Sequence, residues 1–142
     1  MATTDIDFAL DPRLAADTVV VTDLPLCRVC LMNDARFAWL ILVPRRRDVT
    51  EIDQLTDADQ AMLWSETTRA MGVLRTIASP DKLNIGALGN IVRQLHMHAV
   101  ARHEGDAAWP GPVWGSGMAT SYAEPALAEL CSQLTAALSP QP

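Results

Sequence analysis

The 142-residue sequence is short of several features, and each shortage removes a class of protein. It has no long apolar run: the most hydrophobic stretch centres on Trp39-Leu40-Ile41-Leu42-Val43, far below the roughly 20 residues that a membrane-spanning helix needs. Positive charge is scarce as well. Lys and Arg total 11 against 17 Asp and Glu, a net charge of -6 at pH 7, so long-range attraction to nucleic acid or to an anionic membrane is missing and neither is expected as a partner. A phosphate ligand has to be held by local donors instead. Cysteines number three, Cys27, Cys30 and Cys131, and an odd count without a leader sequence argues against a disulfide framework. Cys27 and Cys30 have the spacing of a metal or redox pair, but no second pair follows. Their segment also reads as a strand, on which residues three apart face opposite ways, so ordinary reduced thiols are expected. Residues 1–11 carry no basic stretch ahead of an apolar core, so a cytoplasmic location is expected rather than secretion. No internal repeat is visible.

What remains is a globular balance, 49% hydrophobic and 20% charged, which suits one domain over residues 1–142 with a core at about 8–138 and loose ends at 1–5 and 139–142. The first half reads as short strands. Residues 18–22 are β-branched throughout and closed by Asp23-Leu24-Pro25; residues 26–32 follow; Asn33 to Arg36 form a turn into residues 39–43. That third strand is apolar on both faces, as a central strand covered on each side would be. A long helix starts after Thr56, with Asp57 and Asp59 in its first turn, carries Leu63, Ala70, Val73, Leu74 and Ile77 on one stripe, and stops at Pro80. Residues 82–85 form a short strand, residues 86–90 a glycine-bearing turn, and residues 91–102 a long strand. A loop at 107–121 is anchored by Trp109 and Trp114, and residues 126–138 read as a closing helix. Strands, helix, strands, helix make an α+β fold.

Chemistry concentrates in Gln94-Leu95-His96-Met97-His98. On an extended chain Gln94, His96 and His98 share one face while Leu95 and Met97 share the other. Just upstream, Asn84-Ile85-Gly86-Ala87-Leu88-Gly89-Asn90 supplies glycines whose backbone can approach an anion closely. Residue types alone leave three readings open: catalysis or phosphate binding, a metal site built from His96, His98 and a cysteine, or structural histidines. His103 is expected to be structural. Arg45-Arg46-Arg47 is read as a solvated loop and Trp109 and Trp114 as loop anchors; Asn33 and Arg102 are minor candidates near the site.

The stretch 94–100 resembles the motif of the histidine triad (HIT) family, with Gln94, His96 and His98 at the three triad positions and Val100 closing the apolar tail. Asn84-x-Gly86, Gly89-Asn90-x-Val92 and the strand end Leu42-Val43-Pro44-Arg45 are similar to that family's other landmarks. The resemblance implies a HIT-like α+β domain with an antiparallel sheet of about five strands, one long helix and a C-terminal helix, usually a homodimer. It implies a hydrolase or nucleotidyl transferase that acts at the α-phosphate of a dinucleoside polyphosphate, nucleoside phosphoramidate or similar small-molecule nucleotide. His96 would attack phosphorus and form a nucleotidyl-histidine intermediate, His98 would hold phosphate oxygens, and Gln94 would orient. Asn84, Gly89 and Asn90 would contact the substrate. No cofactor is required, although a divalent metal can accompany a polyphosphate. Two positions depart from the family: Gln94 replaces the first histidine with an amide that cannot exchange a proton near neutral pH. Ile91 stands where relatives carry a serine or threonine. Both departures motivate the alternative of a nucleotide-binding module without catalysis.

Overall fold

The structure, a computed structural model, describes residues 4–139. The β-branched run becomes β1 (Thr18–Asp23), followed by β2 (Cys27–Met32) and β3 (Ala38–Pro44). Two further strands, β4 (Lys82–Gly86) and β5 (Met97–Arg102), complete an antiparallel sheet in the order β1-β2-β3-β5-β4. β3 is the central strand, and its two-sided apolar character follows from burial on both faces. Leu40 and Leu42 point into one core layer; Trp39, Ile41 and Val43 point into the other. The same alternation separates Cys27 from Cys30, one in each layer, and all three cysteines are free thiols.

The long helix α2 (Asp57–Ala78) starts where Thr56 Oγ1 accepts from the Asp59 amide, and ends at Ser79, which takes a left-handed conformation (φ 45°) just before Pro80. Its apolar stripe packs on the sheet together with α3 (Glu124–Leu138), whose first turn contains Pro125. Buried Glu66 interrupts that stripe. Its two carboxylate oxygens accept from the amides of Leu26 (2.9 Å) and Cys27 (2.7 Å), satisfying donors at the turn into β2.

Among the described residues, the opposite face of the sheet carries no long helix. It is closed by Phe8, Leu10, a short helix α1 (Pro12–Asp17) that buries Leu14, and the loop carrying Val113 and Trp114. His98 lies on this second face, against Trp39 and Trp114.

Several expectations require correction. Helix α1 was not expected, and α3 begins two residues earlier than the alanine-rich run suggests. The strand expected over 91–102 exists only as Met97–Arg102. Its neighbours run out: β4 ends at Gly86, which faces His98, and the β3 pairing ends with Leu42 opposite Met97. Leu95 turns away instead and donates its amide to the Val49 carbonyl (2.9 Å). The Asp5 amide donates to Arg45 O, and Ser139 O accepts from the Arg69 guanidinium; residues 1–3 and 140–142 lie outside the described residues. The arginine run is solvated only at Arg47; Arg45 and Arg46 are pinned. Arg45 is buried against Asp23 and the Leu24 and Pro25 carbonyls, Arg46 pairs with Asp59, and exposed Arg47 pairs with Asp7.

Candidate active site

β5 positions the central residues by strand alternation. Met97, Ala99 and Ala101 face the helices, while His98, Val100 and Arg102 face the other way. His96, one residue before β5, lies beside His98, with ring centroids 4.8 Å apart and planes at 65°. Both rings are largely shielded, at 6% and 5% exposure, yet both border a cavity.

Each imidazole has one nitrogen committed, and the two commitments are opposite. His96 Nδ1 lies 2.6 Å from the Gln94 carbonyl oxygen. A carbonyl only accepts, so in the neutral ring Nδ1 carries the proton and the lone pair is on Nε2. His98 Nδ1 lies 3.0 Å from Trp39 Nε1. An indole only donates, so here Nδ1 is the acceptor and the proton sits on Nε2. Burial, with a smaller contribution from His96, lowers the His98 pKa from 6.5 to about 3, so its ring stays neutral at ordinary pH. Trp39 reaches His98 from β3, where it pairs with Val100. Trp114 packs edge-on against the same imidazole at 5.3 Å, over Gly86, where a Cβ would come within 3.4 Å of the indole.

Two cavities meet at His96. One, of about 310 Å³, has apolar walls from Leu14, Met32, Trp39, Ile41, Val92 and Trp114, with Gly89, Asn90, His96 and His98 along one side and Arg13 and Asp17 from α1. The other, of about 290 Å³, is bordered by Thr50, Glu51 and Asp53 and shares Leu88, Gly89 and His96 with the first. Gly89 adopts φ 75°, a conformation open to glycine at no steric cost, and so lets the chain turn tightly where it and His96 line both cavities.

A model of the HIT domain matches residues 13–105. The chain belongs to the histidine triad family. A histidine triad protein from Sinorhizobium meliloti 1021 is 48% identical, with a TM-score of 0.89 over 92% of this chain and 96% of that one. Histidine triad proteins from Bradyrhizobium japonicum (44%, TM-score 0.90, covering 93% and 98%) and Marinobacter aquaeolei VT8 (42%, TM-score 0.90, covering 92% and 96%) superimpose as well. Among curated proteins, an AP-4-A phosphorylase from Mycobacterium tuberculosis is 36% identical over 83 residues, 54% of this chain. The match spans only 42% of that relative's length.

Of the six expected residues, His96, His98, Gly89 and Asn90 border the larger cavity, and Gln94 and Asn84 do not. Gln94 lies outside β5. Its Oε1 accepts from the Asp11 amide and its Nε2 donates to the Ala9 carbonyl, both at 2.8 Å, so its side chain is spent on the N-terminal segment. Asn84 sits on β4, where its Oδ1 accepts from Arg102 Nη1 (2.8 Å). Arg102 is itself buried and ion-paired with Asp106 at 2.8 Å. This pair holds Asp106 well below the usual carboxylate range. Asn33 Oδ1 accepts from the Tyr122 amide, His103 Nε2 meets the Ala78 carbonyl, and Trp109 lies over the Arg102 guanidinium. Ile91, 74% exposed, forms part of the rim. As for the metal alternative, Cys27 faces the other core layer while Cys30 lies on the histidine side, and among the described residues no group of three or more His, Cys, Asp or Glu is placed to hold an ion.

Sequence reasoning missed Trp39, Arg13, Leu14 and Asp17. Trp39 was absorbed into an apolar strand. Its one signal was the indole N–H, a buried donor that requires an acceptor.

Proposed function

We propose that this protein is a nucleotide hydrolase or nucleotidyl transferase that works through a covalent nucleotidyl-His96 intermediate. The observation that carries this reading is the pair of opposed tautomers at one cavity: a lone pair on His96 Nε2 beside an N–H on His98 Nε2. A nucleophile and a fixed neutral donor within one site suit attack on a phosphate. The apolar cavity accepts the nucleoside and sets the α-phosphate against His96.

His96 Nε2 forms the new bond to phosphorus with its own lone pair as the bond to the leaving group breaks; the pair of the broken bond departs with the leaving group, which takes a proton from solvent where it leaves as an amine. The positive charge gained by the imidazole is stabilised through Nδ1–H at the Gln94 carbonyl. Charge developing on the phosphate oxygens is met by His98 Nε2–H and by the Gly89-Asn90 turn. In the second half, water or another acceptor attacks phosphorus, loses its proton to solvent and returns the electron pair to His96. The AP-4-A phosphorylase relative supports a nucleotide substrate at the level of class. The same reading includes a homodimer, which light scattering tests directly.

The experiment is intact-protein mass spectrometry during turnover of a panel of dinucleoside polyphosphates and nucleoside phosphoramidates. The expected result is one added nucleotidyl mass, absent in His96→Ala, together with a loss of turnover of about a thousandfold or more and retained binding of adenosine monophosphate. Full turnover by purified His96→Ala would exclude the mechanism.

A further inference from the structure

We infer that the Gln94 side chain is a positioning residue for the nucleoside, clamping residues 9–17 as one wall of the larger cavity. This inference rests on the nucleotide reading above and adds how the site is closed. The wall is α1, whose Arg13, Leu14 and Asp17 border the cavity across from the sheet. Helix α1 begins at Asp11, whose Oδ1 accepts from the Arg13 amide at 2.8 Å. The amide of that same Asp11 is held by Gln94 Oε1, and the carbonyl two residues earlier, Ala9 O, takes the Gln94 Nε2 proton. Gln94 therefore fixes the starting point of the helix that walls the cavity.

The amide group suits this task in a way that imidazole does not. Gln94 presents an acceptor and a donor side by side, matching a backbone N–H and a backbone C=O on one stretch of chain. The two nitrogens of a neutral imidazole point to divergent sides of the ring and cannot grip both groups in the same place. Meanwhile the Gln94 backbone carbonyl still serves His96 Nδ1. One residue thus supports the nucleophile through its main chain and the nucleoside wall through its side chain, so changing the side chain separates the two roles.

The test uses Gln94→Ala, Gln94→Glu and Gln94→His in the full chain. In Gln94→Ala the Kd for adenosine monophosphate, measured by calorimetry, is expected to rise about tenfold, the equivalent of about 1.4 kcal/mol. The loss in kcat/KM is expected to fall mainly on KM. Hydrogen exchange at the Asp11 amide is expected to accelerate in parallel, a change that a role in phosphate chemistry would not produce. Gln94→Glu keeps the acceptor but loses the donor to Ala9 O, and is expected to show the same direction if the alanine variant folds poorly. Gln94→His brings in the family's usual residue and is expected to raise KM without raising kcat. An unchanged Kd with a collapsed kcat, or a gain in kcat in Gln94→His, overturns the inference. Failure of the unaltered protein to bind adenosine monophosphate sinks the nucleotide reading and this inference with it. Equal binding by the unaltered protein and Gln94→Ala sinks the inference alone.

Discussion

Lowering the pH from 7 to 5 is expected to destabilise the protein through His98, and the size of the effect follows from its environment. The imidazole has a pKa of about 3 in the folded chain and an ordinary value of 6.5 when exposed. Between those two values the unfolded state binds a proton that the native state refuses, so acid pulls the equilibrium toward unfolding. Stability is therefore flat above about pH 6.5 and falls by about 1.4 kcal/mol for each pH unit below it, down to about pH 3. At pH 5 the loss is about 2 kcal/mol. Depressed carboxylates such as Asp106 lose their contribution only at lower pH, so the window between 5 and 7 belongs to histidine. The assay is urea unfolding at pH 7, 6 and 5 for the unaltered protein and for His98→Asn, whose side-chain oxygen can still accept from Trp39 Nε1. The asparagine variant should lose about 2 kcal/mol less than the unaltered protein across that range. Parallel losses in the two proteins would show that His98 charges as easily folded as unfolded, and would refute the account of its environment.

Trp39→Phe removes the donor that assigns His98 its tautomer, so part of the population is expected to move its proton to Nδ1 and turnover to fall about tenfold. Nitrogen chemical shifts of the His98 ring check the tautomer, and a ring still fully protonated on Nε2 would deny Trp39 this role. Glu66→Ala strands the amides of Leu26 and Cys27 and is expected to cost about 3 kcal/mol by denaturant unfolding. Glu66→Gln keeps one oxygen acceptor and is expected to cost clearly less.

Elements whose cause is local were readable from the sequence. The β-branched run of β1, the two-sided apolar β3, and α2 between Thr56 and Pro80 each carry their reasons within a few residues. The start of β5 did not, because an extended stretch looks the same with or without neighbouring strands, and only the ends of β4 and of the β3 pairing limit it. The histidines were correctly brought together by alternation, but their tautomers depend on distant partners. Trp39 is 59 residues from His98, and Gln94 reaches 83 and 85 residues back to Asp11 and Ala9. No spacing rule connects such pairs. Helix α1 did leave a trace, an aspartate cap followed by proline in the first turn, in a segment only six residues long.

His96 stands at the junction of two hollows that have Leu88 and Gly89 in common. In the proposed mechanism, a nucleotidyl group bonded to that imidazole would stay seated in the apolar hollow while the departing portion left through the other, which would then lie vacant for the next reactant. The fate of such an intermediate would be decided by traffic through the vacated side. Thr50, Glu51 and Asp53, which border that side, would then set the balance between cleavage by water and transfer to a different acceptor, and substitutions there would alter the product mixture without disturbing which nucleotide is bound.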